Sequence, residues 1–529
     1  MKDESDKAEF SELMGNKTLK SEYNRMETLR ETYLNRARAA AAITIPALVV
    51  PKGFTAFSTL PTPYQSMGAR GVNNLASKLL LTLLPPNEPF FKLSMDDSVR
   101  EKLGAKVGEV DKALSQAERA VTRDIETAQY RPAVFVALKH LLVSGNVLTY
   151  DDDDSRALRV FSLTQYVVDR DSSGHVMKII VKETTSPDAL PKEIREQVQS
   201  LVPQSDNHDS TQIQEIDLYT GIYRDDDKCY VWQEVMGIKI PGSQGSYPKE
   251  RCPWNAQRLI YVEGEDYGRG YVEEFYGDLK SLEVLTRSMV QGAAAASKLV
   301  YIVNPNGVTD PDDLARAEGG DVIPGTSDDV HVIQTQKGSD FNVVEQRIQR
   351  LTEQLSFAFL LNSAVQRQAE RVTAAEIKYM ANELEAALGG IYSSLSQEFQ
   401  LPLVRSRMAS MQRRGLLPNL PAKLVQPMVT TGVDAIGRGN DFEKLRAYIG
   451  FLAESLGPQK VAEILDSSEV AKRAAAAMGI NEDGLVKSPE QLQAEQQAQM
   501  QAMMAQQAAG PMAGAMAQAA MAPPDQPQQ

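Results

Sequence analysis

The side chains best suited to metal or nucleophilic chemistry in this chain are few, and their spacing defeats most of what they could do. His140, His175, His208 and His331 lie far apart and form no HxxxH or CxxC pattern, so no zinc site is expected. Cys229 and Cys252 are too few for a disulfide framework and read as two reduced thiols. Asp151-Asp152-Asp153-Asp154 has the charge to hold a divalent cation. No further ligand stands at a fixed spacing from it, so it reads as a solvated turn. A phosphate loop of the form GxxxxGK followed by Ser or Thr is absent, as are GxSxG, HExxH and EF-hand patterns. Gly268-Arg269-Gly270 and Gly437-Arg438-Gly439 are fragments of a dinucleotide loop, and neither completes GxGxxG. With no nucleophile beside a base and no paired catalytic carboxylates, neither an enzyme nor a cofactor is expected.

Nucleic-acid chemistry is constrained by charge. The chain carries 56 Lys and Arg against 70 Asp and Glu, a formal net charge of −14. A general binder with an all-round basic surface needs the opposite balance to displace phosphate counterions. Aromatic residues make up 6%, the only tryptophans are Trp232 and Trp254, and no aromatic and basic interleave suggests base stacking. One stretch suits loose phosphate contact. Asn362 to Val372 places Arg367 and Arg371 beside the amides Gln366 and Gln368 and a single acid, Glu370. A loop arginine is ordinarily solvated or ion-paired, so the residues alone leave both readings open.

The elements that must position these residues follow from periodicity. At 529 residues, with 42% hydrophobic and 24% charged side chains, the chain has globular composition and room for three or four structural units. Helices are expected over Lys7–Ala42 (stripe Tyr23, Met26, Leu29, Tyr33, Ala40), Gly71–Leu84, Lys106–Gln129 and from Pro132 through Gly145. From Val147 to Glu263 the texture is β-prone. Strands are expected at Asn146–Tyr150, Leu158–Phe161, Tyr166–Asp169, Val176–Val181, Ile216–Tyr223, Cys229–Val235 and Arg258–Val262, with one short helix over Pro191–Val202. Helix resumes after Gly270 to Ser297. An insert then carries strands at Leu299–Val303, Val322–Ile323 and Val330–Ile333. A helix over Val343–Leu361 follows, its stripe being Val344, Ile348, Leu351, Leu355 and Phe359. Thr373-Ala374-Ala375-Glu376 is a capping box, and the apolar repeat after it runs to Arg414 with a kink at Pro402. As one helix this would be a rod of roughly 60 Å. Residues 490–529 hold 12 Gln, 12 Ala and 6 Met, too little variety for a packed core, and read as a disordered tail or a helix ordered by identical neighbours. The polar start MKDESDKAEF is no signal peptide. Ala39–Val50, interrupted by Pro46, is too short to span a membrane, so no membrane partner is expected.

Six stretches carry a family resemblance. They are TPYQSMGARGVNNLASKLLLTLLPP (Thr62–Pro86), ALKHLLVSGNVLTY (Ala137–Tyr150), GEDYGRGYVEEFYGDLKSLEVL (Gly264–Leu285), LSFAFLLNSAVQRQAERVTAAEI (Leu355–Ile377), LGGIYSSLSQEFQLPLVR (Leu388–Arg405) and TTGVDAIGRGNDFEKL (Thr430–Leu445). In this order they resemble the portal, or head-to-tail connector, proteins of short-tailed, podovirus-type bacteriophages, especially the autographivirus-like group.

The resemblance implies a mainly α, α+β portal fold with wing, stem, clip and crown, assembling as a ring, typically a homododecamer, around an axial channel. It implies a wing over 1–270, stem helices over 271–297 and 343–361, a clip over 298–342 and a tunnel loop over 362–372. A long wing helix and following segment would occupy 373–431, a crown 432–489, and a tail or crown helix 490–529. Gln366, Arg367 and Arg371 would touch DNA in the tunnel loop. The implied role is a channel at one capsid vertex for packaging and ejecting double-stranded DNA. Implied partners are the terminase large subunit, tail adaptor proteins, the major capsid and scaffolding proteins and internal core proteins. The implied location is the virion, with the host cytoplasm during assembly. The alternative is a non-portal structural virion protein, such as a tail adaptor or internal head protein.

Overall fold

A computed structural model describes residues 17–55, 57–86, 90–95, 107–152, 155–201, 215–225, 227–296, 300–333, 338–361, 374–417, 425–428 and 437–465, with a few isolated positions beyond. The chain divides into two compact units, 1–435 and 436–529.

The described part of the first unit opens with α1 (Leu19–Ala42), capped by the Thr18 hydroxyl, which accepts from the Ser21 amide at 3.3 Å; the expected helical residues 7–16 lie outside the described residues. Tyr23, Met26 and Ala40 of the expected stripe are buried, whereas Leu29 faces solvent. Next come α2 (Met67–Leu83), β1 (Lys92–Met95), α3 (Val107–Thr127) and α4 (Tyr130–Ser144). The strands are β2 (Asn146–Asp152), β3 (Ala157–Phe161), β4 (Tyr166–Arg170) and β5 (Val176–Thr185), then, after helix α5 (Lys192–Leu201), β6 (Ile216–Arg224), β7 (Lys228–Val235), β8 (Ile238–Lys239), β9 (Gly245–Pro248) and β10 (Trp254–Arg258).

These strands form two antiparallel sheets, as the β-prone texture predicts. The larger runs β4-β5-β6-β7-β8, with β9 also on β7. Alternation sends successive residues to opposite faces of it. Ile180, Tyr219, Tyr223 and Trp232 pack against Leu19, Tyr23 and Met26 of α1, while Ile179, Val181, Ile222 and Cys229 enter the main core. The smaller sheet runs β10-β2-β3. Here the structure corrects the strand expected at Arg258–Val262. The strand lies four residues earlier because Trp254 pairs with Tyr150 in register, their rings stacked at 4.1 Å, and past Arg258 an isolated bridge joins Ile260 to Arg269.

The two glycine motifs of Ala137–Tyr150 and Gly264–Leu285 meet where α4 turns into β2. Gly145 ends α4 in the left-handed region, at φ +72°. The Asn146 side-chain amide donates to the Gly268 carbonyl and accepts from the Gly268 amide, both at 2.8 Å. A Cβ on Gly270 would stand 2.5 Å from the Val143 carbonyl oxygen. Gly268-Arg269-Gly270 is therefore a place where two backbones cross, not a phosphate cradle.

The chain then forms α6 (Tyr271–Glu274), α7 (Tyr276–Ala296), β11 (Val300–Val303), α8 (Pro311–Arg316), β12 (Val330–Ile333) and α9 (Gly338–Ala358). Helices α7 and α9 run antiparallel. Gly292, late in α7, faces Phe341, early in α9, and Tyr271, just before α7, donates its hydroxyl to the Ala358 carbonyl at 2.9 Å. Leu351, Leu355 and Phe359 of the expected stripe are fully buried, and Val284, Val290, Val343 and Phe357 are exposed. β11 and β12, two of the expected strands, pair antiparallel. No strand forms at Val322–Ile323; Val322 is 96% exposed and has no strand to pair with. Asp329 closes the insert, accepting from the Val308 amide (2.9 Å) and the hydroxyls of Thr309 (3.2 Å) and Thr326 (2.7 Å).

The expected single rod after Thr373 is broken. It comprises α10 (Ala374–Leu388), α11 (Gly390–Leu395), a π-helical turn over Ser396–Gln400 and α12 (Leu401–Arg413). Gly389, at φ +56° and ψ −133°, adopts a backbone that only glycine takes readily. The kink expected at Pro402 is carried by the π turn just before it; Pro402 sits in the first turn of α12. Thr373 of the capping box lies outside the described residues. β13 (Val425–Met428) pairs antiparallel with β1.

Helix α12 is fastened by a buried polar cluster. Arg407, fully buried, pairs with Asp124 of α3 at 2.5 Å and Asp151 of β2 at 3.5 Å, and donates to the Tyr130 hydroxyl at 3.1 Å. Tyr130 and Ser406 both donate to the Asp151 carboxylate. Asp151 is thus a core residue, which corrects the solvated turn expected for the aspartate run; Asp153 and Asp154 lie outside the described residues.

The second unit contains α13 (Gly437–Leu456) and α14 (Pro458–Ile464), joined at Gly457, φ +82°. Tyr448, Phe451 and Ile464 are exposed there.

Candidate functional site

Gln366, Arg367 and Arg371, the residues expected to meet DNA, lie outside the described residues. The described residues show how the chain enters and leaves that stretch. Helix α9 ends in a Schellman-type closure, with the Leu361 amide bonding the Ser356 carbonyl at 2.8 Å. Leu360 occupies the left-handed region at φ +53°. For a residue with a side chain that conformation costs roughly 1–2 kcal/mol, so neighbouring contacts must hold it.

One face of α2 supplies those contacts. Gly71, Asn74 and Lys78 are spaced three and four apart and so share a face. The Asn74 amide donates to the carbonyls of Phe359 (2.9 Å) and Leu360 (3.0 Å), and the Lys78 ammonium donates to Leu360 at 3.0 Å. A cation is also favoured here by the negative end of the helix dipole. Gly71 leaves room for the Phe359 ring, which a Cβ there would approach to 2.6 Å. Tyr271 supports Phe359 from the other side, its ring edge-on at 5.8 Å. Burial pushes the Tyr271 phenol up to about 12, so it stays protonated and donates to Ala358.

Lys78 also pairs with Glu383 of α10 at 3.2 Å. One ammonium therefore binds the chain on both sides of residues 362–373. The other long helix is tied to the same support. Glu283 of α7 accepts the amides of Tyr64 (2.9 Å) and Gln65 (3.2 Å), just ahead of α2. Helix α2 is the common anchor of α7, α9 and α10. Sequence reasoning assigned no role to Asn74, Lys78, Glu283 or Glu383. The available signal was polar Asn74 and Lys78 beside Leu75 and Leu79, where an apolar face would be expected.

Lys78→Met keeps the length of the side chain and removes its charge. It is expected to cost about 1–3 kcal/mol and to speed amide hydrogen exchange in peptides covering 355–361, with the β4–β8 sheet unaffected. Unchanged exchange at 355–361 would count against the anchor.

The family model for bacteriophage head to tail connecting proteins matches residues 16–486. The chain belongs to that family. The portal protein of Escherichia phage T7 is 40% identical over 483 residues, covering 90% of this chain and 89% of that one. The portal protein of Enterobacteria phage T3 is 38% identical over 489 residues, covering 91% and 90%. A chain from the virion of a native gene transfer agent particle covers 78% of this chain and 90% of its own length at 13% identity, with a TM-score of 0.34, too loose a likeness for detailed comparison. The expectation of a podovirus-type head-to-tail connector in a mixed α+β fold is borne out, and the alternative of another structural virion protein is not favoured.

Proposed function

We propose that this chain is the subunit of a portal ring, typically dodecameric, at one capsid vertex, through which double-stranded DNA is packaged and later ejected. The observation that carries this reading is the match of 90% of the chain to a portal protein at 40% identity. The role is structural and non-catalytic, and the ring is a passive conduit. On this reading residues 1–270 form the wing, 271–297 and 343–361 the stem, 298–342 the clip and 362–372 the tunnel loop. Residues 373–431 return to the wing, 432–489 form the crown and 490–529 its tail. The antiparallel pair α7 and α9, joined by the β11–β12 hairpin, supports the stem and clip assignments. The exposed Val284, Val290, Val343 and Phe357 are suited to burial between neighbouring subunits.

During packaging the clip would dock the terminase large subunit, and afterwards tail adaptor proteins. The major capsid, scaffolding and internal core proteins would meet the ring elsewhere. Assembly would take place in the host cytoplasm. No described helix is long and apolar enough to cross a membrane. The net charge of −14 suits a wall that DNA slides past, because each neutralised phosphate would add affinity and slow passage. Against that background a ring of weak contacts from Gln366, Arg367 and Arg371 would centre the duplex or resist back-slippage.

Imaging or native mass measurement of the purified protein tests the ring. Closed rings with a DNA-width hole are expected, and a monomer under all assembly conditions would overturn the reading. Arg367→Ala tests the loop. Rings should form normally, while packaged DNA yield or retention changes several-fold; unchanged packaging and retention would remove Arg367 from the DNA path.

A further inference from the structure

The two cysteines, 23 positions apart, are neighbours in space. Their sulfurs stand 2.6 Å apart, both buried in the main core. That separation is well inside the roughly 3.5 Å of a non-bonded contact and about 0.5 Å beyond a disulfide bond. Backbone pairing fixes both partners. Cys229 lies on β7 opposite Arg224 of β6 on one side and Tyr247 of β9 on the other. Cys252 is set by the entry into β10, where the Arg224 guanidinium donates to the Trp254 carbonyl at 2.5 Å. No metal-type group of His, Cys, Asp and Glu occurs among the described residues, and the chain has no third cysteine to compete.

We propose that Cys229 and Cys252 are a latent disulfide, a dithiol that closes when the protein meets an oxidant such as hydrogen peroxide. The bond would join β7 of the larger sheet to the lead into β10 of the smaller one. In chemical terms the Cys252 thiolate attacks one peroxide oxygen and the O–O bond breaks. Hydroxide leaves and is protonated to water, and Cys252 is left as a sulfenic acid. The Cys229 sulfur then attacks the Cys252 sulfur, the S–O bond breaks, and the hydroxyl departs as a second water with the Cys229 proton. Two thiols lose two electrons and one peroxide becomes two waters.

The environment favours Cys252 as the attacking group. Burial raises its thiol, but the hydrogen bond from Cys229 and the Arg224 charge more than offset it and draw it below the usual thiol range. Cys229 is pushed strongly upward by that same hydrogen bond and by burial, so it keeps its proton until the second step. The timing rests on the virion reading: a chain assembled in reducing cytoplasm would carry the dithiol and meet oxidants after release. The pairing itself does not depend on that reading.

The test uses the full wild-type chain. One sample is held in reductant and one is treated with hydrogen peroxide, and both are then unfolded in N-ethylmaleimide and weighed. The oxidised sample should be lighter by two hydrogens, take up no maleimide and yield one linked peptide pair containing Cys229 and Cys252. The reduced sample should take up two maleimides. Two maleimides after oxidation, added oxygen without a link, or links between chains would each overturn the proposal. Ring formation, scored separately, bears on the portal reading and leaves this result untouched.

Discussion

Gly145→Ala is expected to lower the stability of the first unit by at least about 2–5 kcal/mol, seen as a lower midpoint in thermal or urea unfolding. The added Cβ would stand 2.5 Å from the Gly270 backbone nitrogen and closer still to the Arg269 carbonyl. All of these are main-chain atoms and cannot swing aside. Gly145 is also held from both sides, its amide donating to Leu141 at 2.9 Å and its carbonyl accepting from Leu259 at 3.0 Å. The left-handed conformation alone costs alanine roughly 1–2 kcal/mol. Overpacking against backbone adds at least about 1–3 kcal/mol. The total is a large share of the roughly 5–15 kcal/mol that holds a typical domain folded. Gly277→Ala is the control. A Cβ there meets nothing within 4 Å, so the variant should fold normally. Equal tolerance of both substitutions would show that the backbone crossing can open.

Arg407→Ala is expected to lower stability by about 3–5 kcal/mol, read from the urea midpoint at constant slope. Burial works against the Arg407 charge, but Tyr130, Asp151 and Asp124 around it outweigh that and keep it protonated. Removing it takes the cation away from Asp151, which is itself buried and also accepts from the Tyr130 and Ser406 hydroxyls. Tyr130 stays protonated as a donor to Asp151, since burial and the Asp151 charge push its phenol far upward. Asp151→Asn in the Arg407→Ala background should recover part of the loss, because the stranded charge is then gone. Simple addition of the two effects would mean that the residues do not act as a unit.

The sequence showed period and composition well and long-range contact poorly. Leu351, Leu355 and Phe359 were legible as one face because a helix repeats every 3.6 residues, and the core bears this out. The alternating strands were legible for the same kind of reason. The break at Gly389 was hidden because Leu384, Leu388, Ile391 and Leu395 keep helical spacing across it, and a positive φ leaves no mark in a hydrophobic pattern. Ile260, Tyr261 and Val262 have high strand propensity, yet the strand lies at Trp254–Arg258, since pairing needs a partner in register. The family was legible from six ordered motifs. The roles of Asn74, Lys78 and Glu383 were not, because their partners are roughly 280 to 310 residues away along the chain.

The interruption at Gly389 has a mechanical meaning. A continuous helix from residue 374 to 413 would act as a stiff pushrod, carrying any displacement at the Lys78–Glu383 pair straight to Arg407. The chain instead holds a joint. A Cβ at Gly389 or Gly390 would meet nothing within 4 Å, although Leu388, Tyr392 and Leu395 on either side are buried, and a π turn follows before α12 begins. Helix α10, tied to α2 through Lys78–Glu383, and α12, tied to α3 and β2 through Arg407, are therefore held by separate anchors on either side of a bend.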